Sequence, residues 1–325
     1  TAGPPSCSSP GTSSTAALAG DSVRVICGPT AAGKSAIATP LAIEYGATII
    51  SADSRQIYRG FDIGTAKPDH AELSIVPHRG IDVAEPTERY SASRWATEAM
   101  RWIAEAESER RAPLIVGGTG FYIRALFEPL FDAPPIDASS RAALGQWMDR
   151  RPLGELRRLC TLLDPVKARL GRVQVARAIE TALLTGRRLS DLQKQSGLAR
   201  INEVPALRPH YLVVDPVGRL SAHIEHRVDA MLNAGWVDEV RSLMAHVPRD
   251  APAWKASGYR VVRALVEGTM DLSSARARII IETRQYAKRQ RTWLRHQLGA
   301  ASVTRVDPDD PECAAAVERW WKELT

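Results

Sequence analysis

Cysteine is scarce in this 325-residue sequence, and its four copies are far apart: they are Cys7, Cys27, Cys160 and Cys313. None belongs to a C-x-x-C pair, which argues against a metal site and against a disulfide framework. Scattered thiols of this kind fit a reducing cytoplasm. Long apolar runs are absent too, because none approaches the roughly 18 residues of a membrane span, so no membrane partner is expected.

The first twenty residues lack both the basic start and the continuous apolar segment of a signal peptide. They are rich in Ser, Pro, Gly, Ala and Thr, so residues 1–20 are predicted to be a disordered tail. The whole sequence is 44% hydrophobic and 25% charged, as in ordinary soluble globular proteins, and it is long enough for about two domains. Its formal net charge of +6 is modest, so the distribution of charge is more informative.

One segment has the spacing of a phosphate-binding loop: Gly28-Pro-Thr-Ala-Ala-Gly33-Lys34-Ser35. Its glycines let the backbone wrap so that N–H groups point at an anion, while a helix beginning there adds the positive end of its dipole. Lys34 can reach terminal phosphates, and Ser35 can offer its hydroxyl to Mg²⁺. A nucleoside triphosphate, a monophosphate leaving group and an isoprenoid pyrophosphate are equally compatible with such a loop.

Strand-like and helix-like segments alternate along most of the sequence. This alternation predicts an α/β fold of the phosphate-loop type, with a parallel sheet covered by helices. The expected strands are 23–27, 47–51, 113–117, 210–215 and 302–306, and the expected helices include 36–45, 94–111, 220–246 and 272–298.

Strand signals are missing from the middle of the sequence, where prolines separate helix-like segments such as 140–150, with Asp137 as a possible cap. Residues 128–198 are therefore predicted to be an all-helical insertion domain. Residues 21–127 and 199–325 are predicted to form the α/β core.

The ends of the predicted strands carry candidate chemistry, since ligands of open parallel sheets bind at the carboxyl ends of strands. Asp53 follows the second strand and should lie beside the phosphate loop, where a metal ligand, a general base and a helix cap all remain open. The third strand leads into Gly117-Gly118 where a kinase or ATPase commonly has a Mg²⁺-holding Asp, so we expect close backbone approach to a ligand. Arg227, at the edge of an apolar helical stripe, could point to solvent or into the anion site.

The last long helix is predicted to be basic. Five cations and no acidic residue lie between positions 284 and 295, and Arg284, Lys288, Arg291 and Arg295 recur at helical spacing. At a rise of 1.5 Å per residue they form a stripe about 16 Å long. That length matches several phosphates, which favours a nucleic-acid backbone as the partner.

Taken together, these motifs resemble the tRNA dimethylallyltransferase (tRNA isopentenyltransferase) family, and the absence of a zinc finger fits its bacterial type. The resemblance runs in order from about position 23 to 297. It rests on the phosphate loop, Ser51-x-Asp53-Ser-x-Gln56-x-Tyr58, Asp62-Ile-Gly-Thr-Ala-Lys-Pro68, Val116-Gly-Gly-Thr-Gly-x-Tyr122, Arg177-Ala-Ile-Glu180, Gly258-Tyr259 and Thr283-Arg-Gln-x-Ala-Lys-Arg-Gln-x-Thr-Trp-x-Arg295.

The resemblance implies transfer of a dimethylallyl group from dimethylallyl pyrophosphate to N6 of the adenosine 3′ of a tRNA anticodon (position 37). It implies that Asp53 is the general base, that Arg227 neutralises the leaving group, and that Thr30 has a catalytic role. The implied pyrophosphate-binding residues are Gly28, Pro29, Thr30, Ala31, Ala32, Gly33, Lys34, Ser35 and Arg227, with Mg²⁺ at Ser35. The implied contacts to the tRNA anticodon stem-loop are Asp53, Ser54, Arg55, Gln56, Thr119, Arg141, Gln174, Arg177, Gly258, Tyr259, Lys288, Arg289, Gln290, Arg291, Thr292, Trp293 and Arg295. A cytoplasmic monomer is expected.

Two features depart from the family pattern: the segment 171–176 lacks the usual Asp, and Ser257-Gly-Tyr-Arg260 replaces Ile-Gly-Tyr-Lys. Three other functions remain as alternatives. A small-molecule kinase would need the missing strand-end Asp. A prenyltransferase for free adenine nucleotides would not need the insertion or the basic helix, and an inactive RNA-binding module would not need Asp53 or Lys34.

Overall fold

The computed structural model describes residues 22–128, 136–199, 207–298 and 303–324. The predicted disordered tail lies outside these ranges. Within them the chain divides into two compact units, one of residues 22–88, 99–118 and 207–324, the other of residues 89–98 and 119–199. The helical unit therefore begins nearer to position 119 than to the predicted 128, and it also takes in a short segment before position 99.

The first unit is built on a parallel sheet with the strand order β3-β2-β4-β1-β5-β6. The phosphate-loop strand β1 lies between β4 and β5 and is almost entirely buried, which explains its continuous run of apolar residues. The short edge strand β3 carries no sequence signal and was not predicted. The strands are β1 (Ser22–Cys27), β2 (Ala47–Ser51), β3 (His78–Arg79), β4 (Ala112–Gly117), β5 (Arg208–Val214) and β6 (Val303–Val306).

Helices connect and cover these strands. Helix α1 continues through Pro40 without ending there. In the described ranges the helices are α1 (Lys34–Glu44), α2 (His70–Ile75), α3 (Ala92–Ser108), α4 (Gly120–Phe127), α5 (Ala138–Asp149), α6 (Leu153–Leu163), α7 (Arg172–Thr185), α8 (Leu189–Ala199), α9 (Leu220–Asn233), α10 (Trp236–Met244), α11 (Tyr259–Val266), α12 (Leu272–Gln297) and α13 (Cys313–Lys322).

The single helix predicted for residues 220–246 was wrong. Gly235 has a φ of 96°, a left-handed conformation that glycine tolerates, and it separates α9 from α10. The new helix start turns Trp236 into the first unit's interior, where its side chain is fully buried. This break shapes the functional site described below.

The second unit has its own apolar core, formed by side chains of α5, α6, α7 and α8 such as Leu156, Cys160 and Ile179. Helix α5 is capped as predicted, because the Asp137 carboxylate accepts a hydrogen bond from the Ser140 N–H at 2.7 Å. No helix in the described part of the chain is long and apolar enough to cross a membrane.

Candidate active site

The phosphate loop follows β1 directly and leads into α1. Ala31 and Gly33 both have positive φ values, 62° and 83°, which turn the backbone sharply before the helix begins at Lys34. Gly28 cannot carry a side chain, because a Cβ there would lie 2.2 Å from the carbonyl oxygen of Val214. The Lys34 ammonium donates to the carbonyls of Gly28 at 3.2 Å and of Pro29 at 2.7 Å. The sequence thus adopts the predicted strand–loop–helix arrangement.

The charges around the phosphate loop shift the pKa values of Lys34 and Arg227. Burial, and next the positive charge of Arg227, lowers the pKa of Lys34 to about 8, while Asp53 acts in the opposite direction. Burial also lowers the pKa of Arg227, again opposed by Asp53. Arg227 is half-buried and lines the same cavity as Thr30 of the phosphate loop, which favours the anion site among its two alternatives.

Asp53 lies in the turn after β2. The backbone there is fixed by a 2.7 Å hydrogen bond from the Ala52 N–H to the Val116 carbonyl, and Asp53 Oδ1 accepts from the Arg55 N–H at 2.8 Å. The carboxylate thus closes a local turn and does not cap a helix. The neighbouring Gln56 side chain bonds within the protein, to Ser51 and to the Ala66 carbonyl, so it braces the turn.

One cavity of about 550 Å³ brings these groups together in the first unit. Thr30 of the phosphate loop, Asp53 and Arg227 all line it. Two carboxylates line the cavity, Asp53 and Glu282. The cationic side chains are more numerous: they are Arg55, Arg227, Lys255, Arg260, Arg278 and Arg289. Such a surface favours a polyanion.

Trp236 forms an apolar wall of this cavity, held between two glycines. A Cβ on Gly64 would lie 2.2 Å from the indole ring, and one on Gly258 would lie 2.4 Å from it. Glu239, one turn further along α10, accepts from the Ile63 N–H and from the Tyr259 hydroxyl, both at 2.6 Å. The Asp62–Pro68 and Gly258–Tyr259 motifs therefore meet at α10.

Gly117, the last residue of β4, and Gly118, which follows it, pack against the protein itself, and their close approach to a ligand stays a prediction. A Cβ on Gly117 would lie 2.3 Å from the Ala52 carbonyl oxygen, and one on Gly118 would lie 2.4 Å from the Gln290 amide nitrogen. Gln290 is buried, and its amide bonds to Gly118 and Thr30. This position corrects the assignment of Gln290 to the tRNA surface, and the full burial of Tyr259 corrects its assignment in the same way.

Helix α12 faces the cavity with a different stripe from the predicted one. Arg278, Glu282, Gln285, Tyr286 and Arg289 line the cavity. In the predicted stripe, Arg284 pairs with Glu225, and Arg291 donates to Asp215 at 2.8 Å. Lys288 and Arg295 are exposed, as are Arg289 and Thr292, while Trp293 is half-buried.

The remaining predicted tRNA contacts lie in the second unit. Thr119 precedes α4, and Gln174 and Arg177 are exposed one turn apart on α7. Arg141 on α5 forms a 2.7 Å ion pair with Glu180 of α7. Ser54 and Arg55, by contrast, belong to the first unit, where Arg55 lines the cavity.

Sequence reasoning missed several residues of the cavity: Trp236, Lys255, Arg278, Glu282 and Tyr286. On α12, Arg278, Glu282 and Arg289 are spaced at helical intervals, as are the residues of the predicted stripe. Periodicity alone therefore could not decide which of the two helix faces lines the site. Trp236 is apolar and carried no signal of chemistry. The sequence features that mark its position are Gly64 and Gly258, which pack against its ring from distant segments.

The chain is similar to known proteins over most of its length. A family model described as IPP transferase matches residues 56–297, and one described as isopentenyl transferase matches residues 21–79. A tRNA dimethylallyltransferase of Halorhodospira halophila is 42% identical over 88% of this chain and 93% of its own length. One of Deinococcus radiodurans is 38% identical over 93% of this chain and 98% of its own.

The chain belongs to the tRNA dimethylallyltransferase family. It is a prenyltransferase that modifies tRNA. Among solved structures, a tRNA isopentenylpyrophosphate transferase of Staphylococcus epidermidis is similar, with a TM-score of 0.66 and 27% identity. The match spans 93% of this chain and 98% of that protein's chain. A eukaryotic dimethylallyltransferase acting on tRNA shares the fold, with a TM-score of 0.75 and 24% identity over 92% of this chain and 77% of its own. The predicted phosphate-loop fold and family are both confirmed.

Proposed function

We propose that this enzyme uses dimethylallyl pyrophosphate as donor and N6 of the adenosine 3′ of the anticodon as acceptor. The observation that carries the proposal is that Thr30, Asp53 and Arg227 line one cavity. It combines an anion-binding loop, a carboxylate and a cation within reach of one small substrate, which is the set of groups that this transfer needs.

The phosphate loop, residues 28–35, would bind the pyrophosphate. Its backbone turn and the start of α1 favour an anion, and Lys34 and Arg227 add positive charge. When the C1–O bond of the donor breaks, pyrophosphate leaves with the bonding electrons. Cations already held at this position stabilise that charge without reorganising, which lowers the barrier.

Asp53 would accept the proton of the N6 amine. An exocyclic amine is a poor nucleophile while it keeps its proton, so a carboxylate beside the acceptor accelerates attack on C1. The hydrogen bond from Arg55 fixes the orientation of the Asp53 carboxylate. The target base has to leave its stack to enter a cavity of this kind, as in other enzymes that modify bases.

Mg²⁺ would be held by Ser35 together with the pyrophosphate oxygens. No cluster of three or more His, Cys, Asp or Glu side chains suited to a metal lies within the described ranges. The Ser35 hydroxyl and the pyrophosphate oxygens are a donor set that suits Mg²⁺, because this ion usually keeps several waters and takes one or two protein ligands beside substrate phosphates. When bound, the ion supplies charge neutralisation to the leaving group.

The tRNA would contact the cationic rim of the cavity and the exposed cations of α12. Lys255, Arg260 and Arg278 line the cavity together with Arg55 and Arg289, which were predicted from the sequence, and we add the three to the proposed tRNA contacts. In the second unit, Thr119, Arg141, Gln174 and Arg177 remain proposed contacts. A cytoplasmic monomer remains the simplest form for an enzyme with this substrate.

The decisive experiment is a transfer assay with dimethylallyl pyrophosphate, Mg²⁺ and an anticodon stem-loop RNA, read by mass spectrometry of the digested nucleosides. We expect prenylated adenosine at the position 3′ of the anticodon. A stem-loop with guanosine there is the matched control. Product from free adenosine monophosphate at a comparable rate, or no product from RNA, would contradict the proposal.

A further inference from the structure

Two residues of α9 separate the active-site cavity from a second cavity. Among the residues that the structure describes, Arg227 and Met231 are the ones that line both. They lie four residues apart, which is one helical turn and about 6 Å along the axis. Arg227 supplies the charged side of this boundary, and Met231, only 8% exposed, supplies the apolar side.

The surroundings of Met231 suit a short hydrocarbon. Val228, Trp236 and Ile279 also line the active-site cavity and are nearly fully buried. A donor whose pyrophosphate lies at Arg227 can extend its chain along α9 toward Met231. Met231, one helical turn from Arg227, would then meet the end of a dimethylallyl chain.

The second cavity, of about 380 Å³, is a shallow groove that opens to solvent, and Met231 is part of its wall. Its walls are mainly apolar and small, formed by Ile63, Ala66, Ala230 and Ala234. Lys67 also borders it, but its ammonium is bonded to the Tyr58 carbonyl at 2.6 Å and to the carboxylates of Asp62 and Asp82. The second cavity can therefore take more hydrocarbon.

We propose that Met231 determines the length of the prenyl donor. This inference rests on the proposed donor chemistry. With methionine in place, the chain ends at Met231 and dimethylallyl pyrophosphate is preferred; with a smaller residue, the two cavities join and geranyl pyrophosphate is accepted. The step itself is unchanged: the C1–O bond breaks, pyrophosphate leaves with the electron pair, N6 bonds to C1, and the amine proton passes to Asp53.

The test compares kcat/KM for geranyl and dimethylallyl pyrophosphate in the full-length enzyme with stem-loop RNA. We expect Met231→Ala to raise the geranyl-to-dimethylallyl ratio at least tenfold, since one methylene in an apolar pocket is worth about 10–200-fold. Val228→Ala is the matched control, because Val228 lines the active-site cavity but not the second one. It should not change the ratio by more than about threefold.

A second change in the same protein makes the test specific. Ala234→Leu, added to Met231→Ala, should refill the second cavity and return the ratio to within about threefold of the unmodified enzyme. If Met231→Ala unfolds, Met231→Val removes less volume and should shift the ratio in the same direction. Thermal unfolding of each variant establishes that it is folded.

The outcomes separate this inference from the function on which it rests. Failure of the unmodified enzyme to transfer dimethylallyl to RNA would overturn the proposed function. If that transfer is normal, a folded Met231→Ala or Met231→Val enzyme whose ratio stays unchanged would overturn the role of Met231. An equal rise in the Val228→Ala control would also overturn it, because the effect would then come from cavity volume alone.

Discussion

The side chain of Gln290 on α12 is hydrogen-bonded to the backbone of Thr30 in the phosphate loop. Its Oε1 accepts from the Thr30 N–H at 2.8 Å, and its Nε2 donates to the Gly118 carbonyl at the same distance. A neutral amide can donate and accept at the same time, whereas an ionised carboxylate can only accept. The contact ties the helix that carries Lys288 and Arg289 to the loop proposed to hold the pyrophosphate.

Replacing Gln290 by Glu should weaken pyrophosphate binding at least tenfold at pH 8 and restore much of it near pH 5.5. An ionised carboxylate would repel the Gly118 carbonyl, whereas a protonated one can again donate to it. Burial raises the pKa of a carboxyl group, so this recovery should fall within an accessible pH range. Isothermal titration with inorganic pyrophosphate measures it. Gln297→Glu, exposed at the end of the same helix, is the control; equal pH profiles for both variants would show that the Gln290 contact does not position the loop.

Replacing Asp53 by Asn should lower kcat by about 10² to 10⁴, the range typical for loss of a general base. The Asn side-chain oxygen can still accept from the Arg55 N–H, so the turn and the binding of RNA should persist. Single-turnover transfer and RNA titration measure the two effects separately. Turnover within a factor of about three of the unmodified enzyme would exclude Asp53 as the base.

Pyrophosphate affinity should fall as the pH rises through about 8, the pKa of Lys34. A bound anion stabilises the protonated form of Lys34, so pyrophosphate binding raises the pKa of this lysine. Where Lys34 is deprotonated in the free enzyme, binding is therefore accompanied by uptake of one proton. Below that pH no proton is taken up at Lys34 and its contribution is fully present. Titration calorimetry in buffers of different ionisation enthalpy counts the protons. Lys34→Arg, which stays charged, should lose this component; an unchanged count would assign the proton to another group.

Neutralising exposed cations of α12 should weaken RNA binding and flatten its salt dependence. We expect Lys288, Arg289 and Arg295 changed to Gln to reduce the slope of log K against log salt by about two to three units. Arg291 is left intact because its ion pair with Asp215 would be broken. The control changes two exposed arginines outside α12, Arg208 and Arg319, to Gln. A slope reduced equally by both sets would show that α12 has no special part in RNA binding.

The sequence by itself determined the local parts of this enzyme. The phosphate loop was predictable because its glycines, Lys34 and Ser35 act within one short stretch of backbone, between a buried strand and a helix. The place of Asp53 was predictable for a similar reason, since parallel strands end at the same edge of a sheet. The Asp137 cap needed only a neighbour three residues away.

Only the tertiary structure decided which groups meet. Periodicity showed that α12 is basic, but the partners of Arg284 and Arg291 are 59 and 76 residues away in sequence. Those carboxylates pair with two of the four cations of the predicted stripe, and another face of the helix lines the cavity. The roles of Gln290, Trp236 and Met231 likewise depend on glycines, carbonyls and cavities supplied by distant segments. A sequence pattern specifies the face that a helix presents, whereas packing between distant elements specifies what that face touches.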